Sequence, residues 1–291
     1  MPLSLSIRID QQIEVRQTFD SPTVYLDHWA VRRLSDDHVL QDRFVGALHA
    51  ARGTLFLSHQ NFVEFVGPED ASHATQAEHF LDRVLPNIYF AQLDLKKAIA
   101  QEQDPRAKGL KLIPPPDLEL LKILALQRPA DPKPFTIKGL LTEVAANRAR
   151  LGKTFTETNQ AIVDKVIEQR RNTEFVKKAK TFKPGEDHAR TLVVMGELLR
   201  GVILDPTMPF TPQDASDYQH AILSTCYCDY VLLDGKWQAM VRATAQRIAT
   251  MGLSFKTARC FSERRGGLEE FLVELEARAP VPPRTAPTCA T

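Results

Sequence analysis

An α/β fold built on a parallel sheet is what this sequence predicts, on three observations. First, two short apolar runs rich in β-forming residues, Val24-Tyr25-Leu26 and Tyr230-Val231-Leu232-Leu233, each close on a carboxylate, Asp27 and Asp234. Such runs read as buried strands that deliver an acid to the strand end, the edge at which open α/β sheets bind ligands. Second, strand-like and helix-like segments alternate towards both ends of the 291-residue chain. Third, a charged helical block interrupts that alternation, so the sheet, flanked by helices, is expected to carry an inserted helical region.

The elements follow in order. Leu3, Leu5, Ile7 and Ile9 alternate as an edge strand does. After Asp27 a short helix is expected around 30–34, then a second over 40–51 with Phe44, Val45, Leu48 and His49 on one side and Gly53 at its end. Residues 54–58 read as a strand, 61–66 as a helix bearing Glu64, 76–85 as a helix stopped by Pro86, and 87–93 as a strand. Asp94 is placed to cap the helix after it. Pro114, Pro115 and Pro116, and the stretch from Pro129 to Pro134, break regular structure. From 137 to 180 the pattern is helical and poor in aromatics. Between Lys138 and Lys183 eleven Lys/Arg stand against five Asp/Glu. An amphipathic helix over 187–204 follows, and a strand over 230–233. From Ala279 the chain is rich in Pro, Thr and Ala, a composition expected to be disordered. The expected division is a discontinuous α/β domain, 1–95 with 205–278, a helical insertion, 96–204, and a tail, 279–291.

Composition narrows the class of function. The hydrophobic fraction of 43% and charged fraction of 25% are ordinary for a water-soluble globular chain, and a net charge of +1 neither requires nor excludes nucleic acid. Cys226, Cys228, Cys260 and Cys289 lack zinc-site spacing, and reduced, mostly buried thiols are expected. No stretch is apolar enough to span a membrane, and the start lacks a basic-then-apolar signal. A cytoplasmic location is the expectation.

Two further acids come from inside apolar helical patterns, Glu64 in LSHQNFVEF and Asp217 in DASDYQHAIL. Each acid has a plainer role to set beside the chemical one. Asp27 suits a helix N-cap, Glu64 a solvated helix face, and Asp234, before Gly235, a turn. Thr211-Pro212-Gln213-Asp214 is a helix-start signature that accounts for Asp214 but leaves Asp217 unexplained. Asp229 reads as a turn residue entering the strand. Asn61 and Ser58 lie about one and two turns before Glu64, and His220 shares a helix face with Asp217. Four carboxylates brought together repel strongly. A hard divalent cation, Mg²⁺ or Mn²⁺, removes the conflict because both prefer oxygen ligands.

The stretches VYLDHWAVRRLS, LSHQNFVEF and DASDYQHAILSTCYCDYVLLDGKW together resemble the PIN-domain nucleases. In that family an Asp ends the first strand and a Glu follows a Ser-containing strand-to-helix turn. An Asp then opens a helix, often with His three residues on, and a last Asp ends the next strand. The resemblance implies Asp27, Glu64, Asp217 and Asp234 as catalytic and metal-binding residues, supported by Ser58, Asn61 and His220. A strand over 254–261 and a helix over 268–275 also suit it. It implies a metal-dependent nuclease, of the RNA-directed kind that predominates in the family, in which a carboxylate-held Mg²⁺ or Mn²⁺ activates water. Many bacterial members are toxins held by an inhibitory protein partner, although this chain is longer than that minimal type. Two departures stand out. Trp29 occupies the position where many members carry Asn, and the interval from Glu64 to Asp217 is far longer than in a minimal member.

The basic block offers Arg148, Arg150, Arg170, Arg171, Lys177 and Lys178 as contacts for a nucleic-acid backbone; a solvated helical surface is the plainer use, and the insertion could instead serve a protein interaction or a homodimer. A catalytically weak PIN-like module that binds nucleic acid or protein is the alternative, and Trp29 is its support. A phosphatase of the haloacid-dehalogenase type needs a second Asp two residues after the first, where Trp29 stands.

Overall fold

The computed structural model describes residues 3–7, 13–66, 71–107, 110–126, 136–185 and 187–278. The chain opens on an antiparallel pair, β1 (Leu3–Ile7) and β2 (Ile13–Gln17), in which Leu5 faces Val15. The expected N-terminal strand is therefore present, but it pairs within its own two-stranded sheet rather than at the edge of the main one; Ile9 lies outside the described residues. Next come β3 (Thr23–Leu26), α1 (His28–Asp36), α2 (His38–Ala50), β4 (Thr54–Ser58), α3 (His59–Val66), α4 (Ala71–Val84), β5 (Ile88–Ala91) and α5 (Leu95–Glu102). A helical run follows: α6 (Leu118–Leu126), α7 (Lys138–Ala146), α8 (Arg148–Arg171), α9 (Thr173–Thr181) and α10 (Arg190–Leu204). The chain closes with α11 (Pro212–Tyr227), β6 (Tyr230–Leu232), α12 (Gly235–Thr250), β7 (Arg259–Phe261) and α13 (Gly267–Arg278).

The main sheet has five strands in the order β5-β4-β3-β6-β7, all parallel. Successive strand residues point to opposite faces, and here both faces are buried. Val24, Leu26, Leu55, Leu57 and Leu232 enter one core with residues of α1, α2, α3, α4 and α13. Tyr25, Phe56, Tyr89 and Val231 enter the other with α11 and α12. Burial on both sides explains why the strands read as unbroken apolar runs instead of alternating ones.

Residues 96–204 connect β5 to β6 and contribute to both layers. Leu120, Leu121, Leu141 and Val144 join the first core; Ala98, Val163, Val166, Ala179, Val193 and Leu198 join the second. The helical block is thus part of the sheet's covering layers. His49, expected on the apolar side of α2, is exposed, and the strand expected over 254–261 is confined to β7.

Strand order sets the location of the site. The chain moves outward from β3 through β4 to β5, then returns to place β6 on the other side of β3. The order reverses between β3 and β6, and a crevice opens outside their carboxyl ends at such a point. Asp27 immediately follows β3, and Asp234 stands just past the end of β6, after Leu233. Among the described residues no helix is long and apolar enough to cross a membrane.

Candidate functional site

Each strand-end acid also starts a helix. Asp27 is the N-cap of α1, where its Oδ1 accepts from His28 N–H at 2.8 Å. Its own N–H donates to Leu232 O at 3.1 Å, tying it to the end of β6. Asp234 is the N-cap of α12, its Oδ1 accepting from Trp237 N–H at 2.8 Å. Capping thus engages one oxygen of each, and among the described residues Oδ2 of both is without a hydrogen-bond partner.

The helical acids approach from the two layers. Glu64 lies on α3, directly after β4, and Asp217 on α11. Ser216 Oγ donates to Glu64 Oε1 at 3.1 Å, joining the two helices, and Gln213 Nε2 donates to Asp217 Oδ1 at 2.9 Å. Asp27, Glu64, Asp217 and Asp234 therefore stand around one carboxyl edge. Their protonation reflects it. Burial raises Asp27 to about 6, with the Asp234 charge adding and the His28 hydrogen bond opposing. Burial, then the charges of Asp27 and Asp217, carry Glu64 to about 8. Burial and the Asp27 charge take Asp217 to about 7, with Asp234 adding to it. Among the described residues no group of three or more Asp, Glu, His or Cys side chains is arranged to hold a metal ion. The acids share an edge but not a closed ligand set, as four uncompensated like charges would.

A buried polar chain supports Glu64. Ser58 N–H and Oγ donate to Asn61 Oδ1 at 2.9 and 3.0 Å, and Asn61 Nδ2 donates to Tyr25 OH at 3.2 Å. With that oxygen accepting, the Tyr25 proton faces His220 Nδ1, 2.5 Å away. Burial, with the nearby His59 charge, lowers His220 to about 3, so the ring is neutral at pH 7. A neutral ring that accepts at Nδ1 carries its hydrogen on Nε2, which lies 3.6 Å from Glu64 Oε1 and has no hydrogen-bond partner. Ser58, Asn61 and His220 are brought together as the sequence suggested. Tyr25 and Ser216 are the members sequence reasoning missed. The only available signal for Tyr25 was its phenol inside the strand that ends in Asp27.

The neighbouring acids do other work. Asp214 closes a capping box with Thr211 and pairs with Lys236. Burial would raise it, but the Lys236 and Thr211 hydrogen bonds hold it below the usual value. Asp229 accepts from Thr23 N–H at 2.9 Å, clamping the opposite, amino-terminal edge of β3 and β6. Trp29 is half-buried against the first core, its Nε1 without a partner.

The expected nucleic-acid residues divide. Arg170 departs from that role: its guanidinium donates to Val202 O, Asp205 O and Met208 O at 2.8 to 3.1 Å, which fastens the end of α10. Lys177 is exposed and pairs with Glu174 at 2.9 Å. Arg171 and Lys178 are exposed. The side chains of Arg148 and Arg150 lie outside the described residues, as does Cys289; Cys226, Cys228 and Cys260 are buried free thiols. Comparison with protein-family models, with curated proteins and with solved structures finds no match.

Proposed function

We propose that this chain is a metal-dependent nuclease of PIN type that hydrolyses phosphodiester bonds, with RNA as its substrate. The observation that carries the reading is the pair Asp27 and Asp234 flanking the point where strand order reverses, with Glu64 and Asp217 on the same edge. The donor set fits a hard cation. It is all oxygen, Asp27 and Asp234 each keep a free Oδ2, and burial with mutual repulsion raises three of the four acids, a conflict that a bound cation relieves.

Asp27, Glu64, Asp217 and Asp234 would hold Mg²⁺ or Mn²⁺, which when bound activates water and offsets charge developing on phosphoryl oxygens. The chain's own residues prepare that edge. The caps fix Asp27 and Asp234 in direction, Ser216 fixes Glu64 against α11, and Gln213 fixes Asp217. Burial keeps the His220 imidazole neutral beside Glu64, so no fixed cation competes for its carboxylate. The preference for RNA and an inhibitory protein partner rest on the resemblance alone.

The test is calorimetric titration with Mn²⁺ alongside cleavage of end-labelled RNA and DNA of the same sequence. Mn²⁺ binding with cleavage of RNA over DNA is expected. Trp29, at the position where many family members carry Asn, favours a second reading, a catalytically weak module that binds nucleic acid or protein. Absence of Mn²⁺ binding by the folded protein would favour that module and overturn the nuclease.

A further inference from the structure

A pocket of about 540 Å³ with mixed apolar and charged walls lies beside the acidic edge, between α1 and the turn that leads from β7 into α13. Its volume is inside the range of roughly 300–1,000 Å³ common for small-ligand sites. Trp29 and Arg33 of α1 form one wall; Glu263 and Leu268 form the other, with Leu40 and Glu269. We propose that this pocket is a nucleobase subsite that selects guanine next to the scissile phosphate. The inference rests on the nuclease reading above and deepens it.

Position supports it first. β7 lies beside β6, which lies beside β3, so the end of β7 is roughly 10 Å from that of β3, two strand spacings. A base neighbouring the reacting phosphate reaches that far. Between the two places lies Arg264. Its side chain covers Gly235, where a Cβ would stand 3.1 Å from Arg264 Cδ and Nε. Gly235 follows Asp234 directly, so Arg264 is placed to hold a phosphate between the acids and the pocket, and glycine is what gives it room.

The chemistry of the wall selects the base. Trp29 supplies an indole for stacking. Three acids border the pocket, and two are engaged. Glu269 pairs with Arg43 at 2.7 Å, and Asp37 accepts from Val39 and Leu40 N–H at 2.9 and 3.1 Å. Glu263 is exposed and has no hydrogen-bond or ion-pair partner among the described residues. A free carboxylate accepts paired donors, which guanine presents as N1–H and its exocyclic amine. Uracil presents a single N–H between two carbonyls that the carboxylate repels. Arg33, exposed on α1, supplies a donor for the guanine carbonyl.

The test is calorimetry with guanosine and uridine 5′-monophosphates in the presence of Mn²⁺. Intrinsic fluorescence is read in parallel, since Trp237 is buried and Trp29 is the other indole. The guanine nucleotide is expected to bind at least about tenfold more tightly and to change Trp29 emission. Glu263→Gln should bring that ratio to about one. Arg264→Ala should weaken both nucleotides by the same factor. Equal affinities in the unaltered protein, or a ratio that Glu263→Gln leaves in place, would overturn the subsite. Because Glu263 is exposed, the variant's fold is not at issue, and circular dichroism checks it. The two readings fail separately. Guanine selectivity without Mn²⁺-dependent cleavage overturns the nuclease and keeps the pocket, whereas cleavage with no base preference does the reverse.

Discussion

Asp214 and Asp217 are neighbours on one helix with opposite fates. Asp214 Oδ2 accepts from Thr211 N–H and Oγ, both at 2.8 Å, and its Oδ1 meets Lys236; neither oxygen is left for a cation. Asp217 has one amide donor, from Gln213, and faces the charges of Asp27 and Asp234. Asp217→Asn is therefore expected to cut Mn²⁺-dependent cleavage by about a hundredfold or more, in line with losing a main electrostatic group. Asp214→Asn should cost about 1 kcal/mol of stability, as a weakened cap does, with a much smaller effect on rate. Equal loss of rate in a folded Asp214→Asn protein would show that the wrong acid of α11 has been assigned. This distinction was legible in sequence, because a capping signature is local. Tyr25 was not legible: its partners lie 36 and 195 positions away, and a tyrosine inside an apolar strand reads as core.

At the level of elements, the sequence placed β4 at its observed bounds, and α11 began at the Pro that its cap signature marks. It could not say where the helical block would sit, because a charged surface looks the same whether it faces substrate or solvent. Arg170 shows the consequence. It bonds the carbonyls of Val202, Asp205 and Met208, which end α10 and start the loop leading to the Thr211 cap of α11. Removing it leaves several part-buried carbonyls unpaired, so Arg170→Ala should lower unfolding stability by about 2 kcal/mol, as loss of charged hydrogen bonds does. Arg171→Ala, on the exposed side, should change stability by less than about 0.5 kcal/mol. Urea denaturation measures both. If the block contacts a nucleic-acid backbone, Arg171→Glu with Lys178→Glu should weaken binding and flatten its salt dependence. Reversal at Arg170 cannot test that contact, because it disturbs the fold.

For the whole molecule, the acidic edge couples folding to pH. A carboxyl whose folded pKa stands above its unfolded value holds its proton more tightly in the native state. The unfolded chain then binds fewer protons, and stability falls as pH rises through the interval. For Asp27 and Asp217 that interval opens near 3.8, for Glu64 near 4.5, and the last of them closes near 8. The chelated protein should therefore melt at a higher temperature at pH 5.5 than at pH 8, with groups elsewhere adding their own slopes. Glu64→Gln removes the acid with the highest value, so it should flatten the fall between pH 6 and 8 and raise the melting temperature at pH 8. The cation acts in the opposite sense, since it binds the ionised acids. Mn²⁺ should add more to the melting temperature at pH 8 than at pH 5.5, where protons compete for the same oxygens. Thermal melts with and without Mn²⁺ at the two pH values decide this. A Mn²⁺ increment that is the same at both, or larger at pH 5.5, would mean that the ion binds somewhere other than this edge.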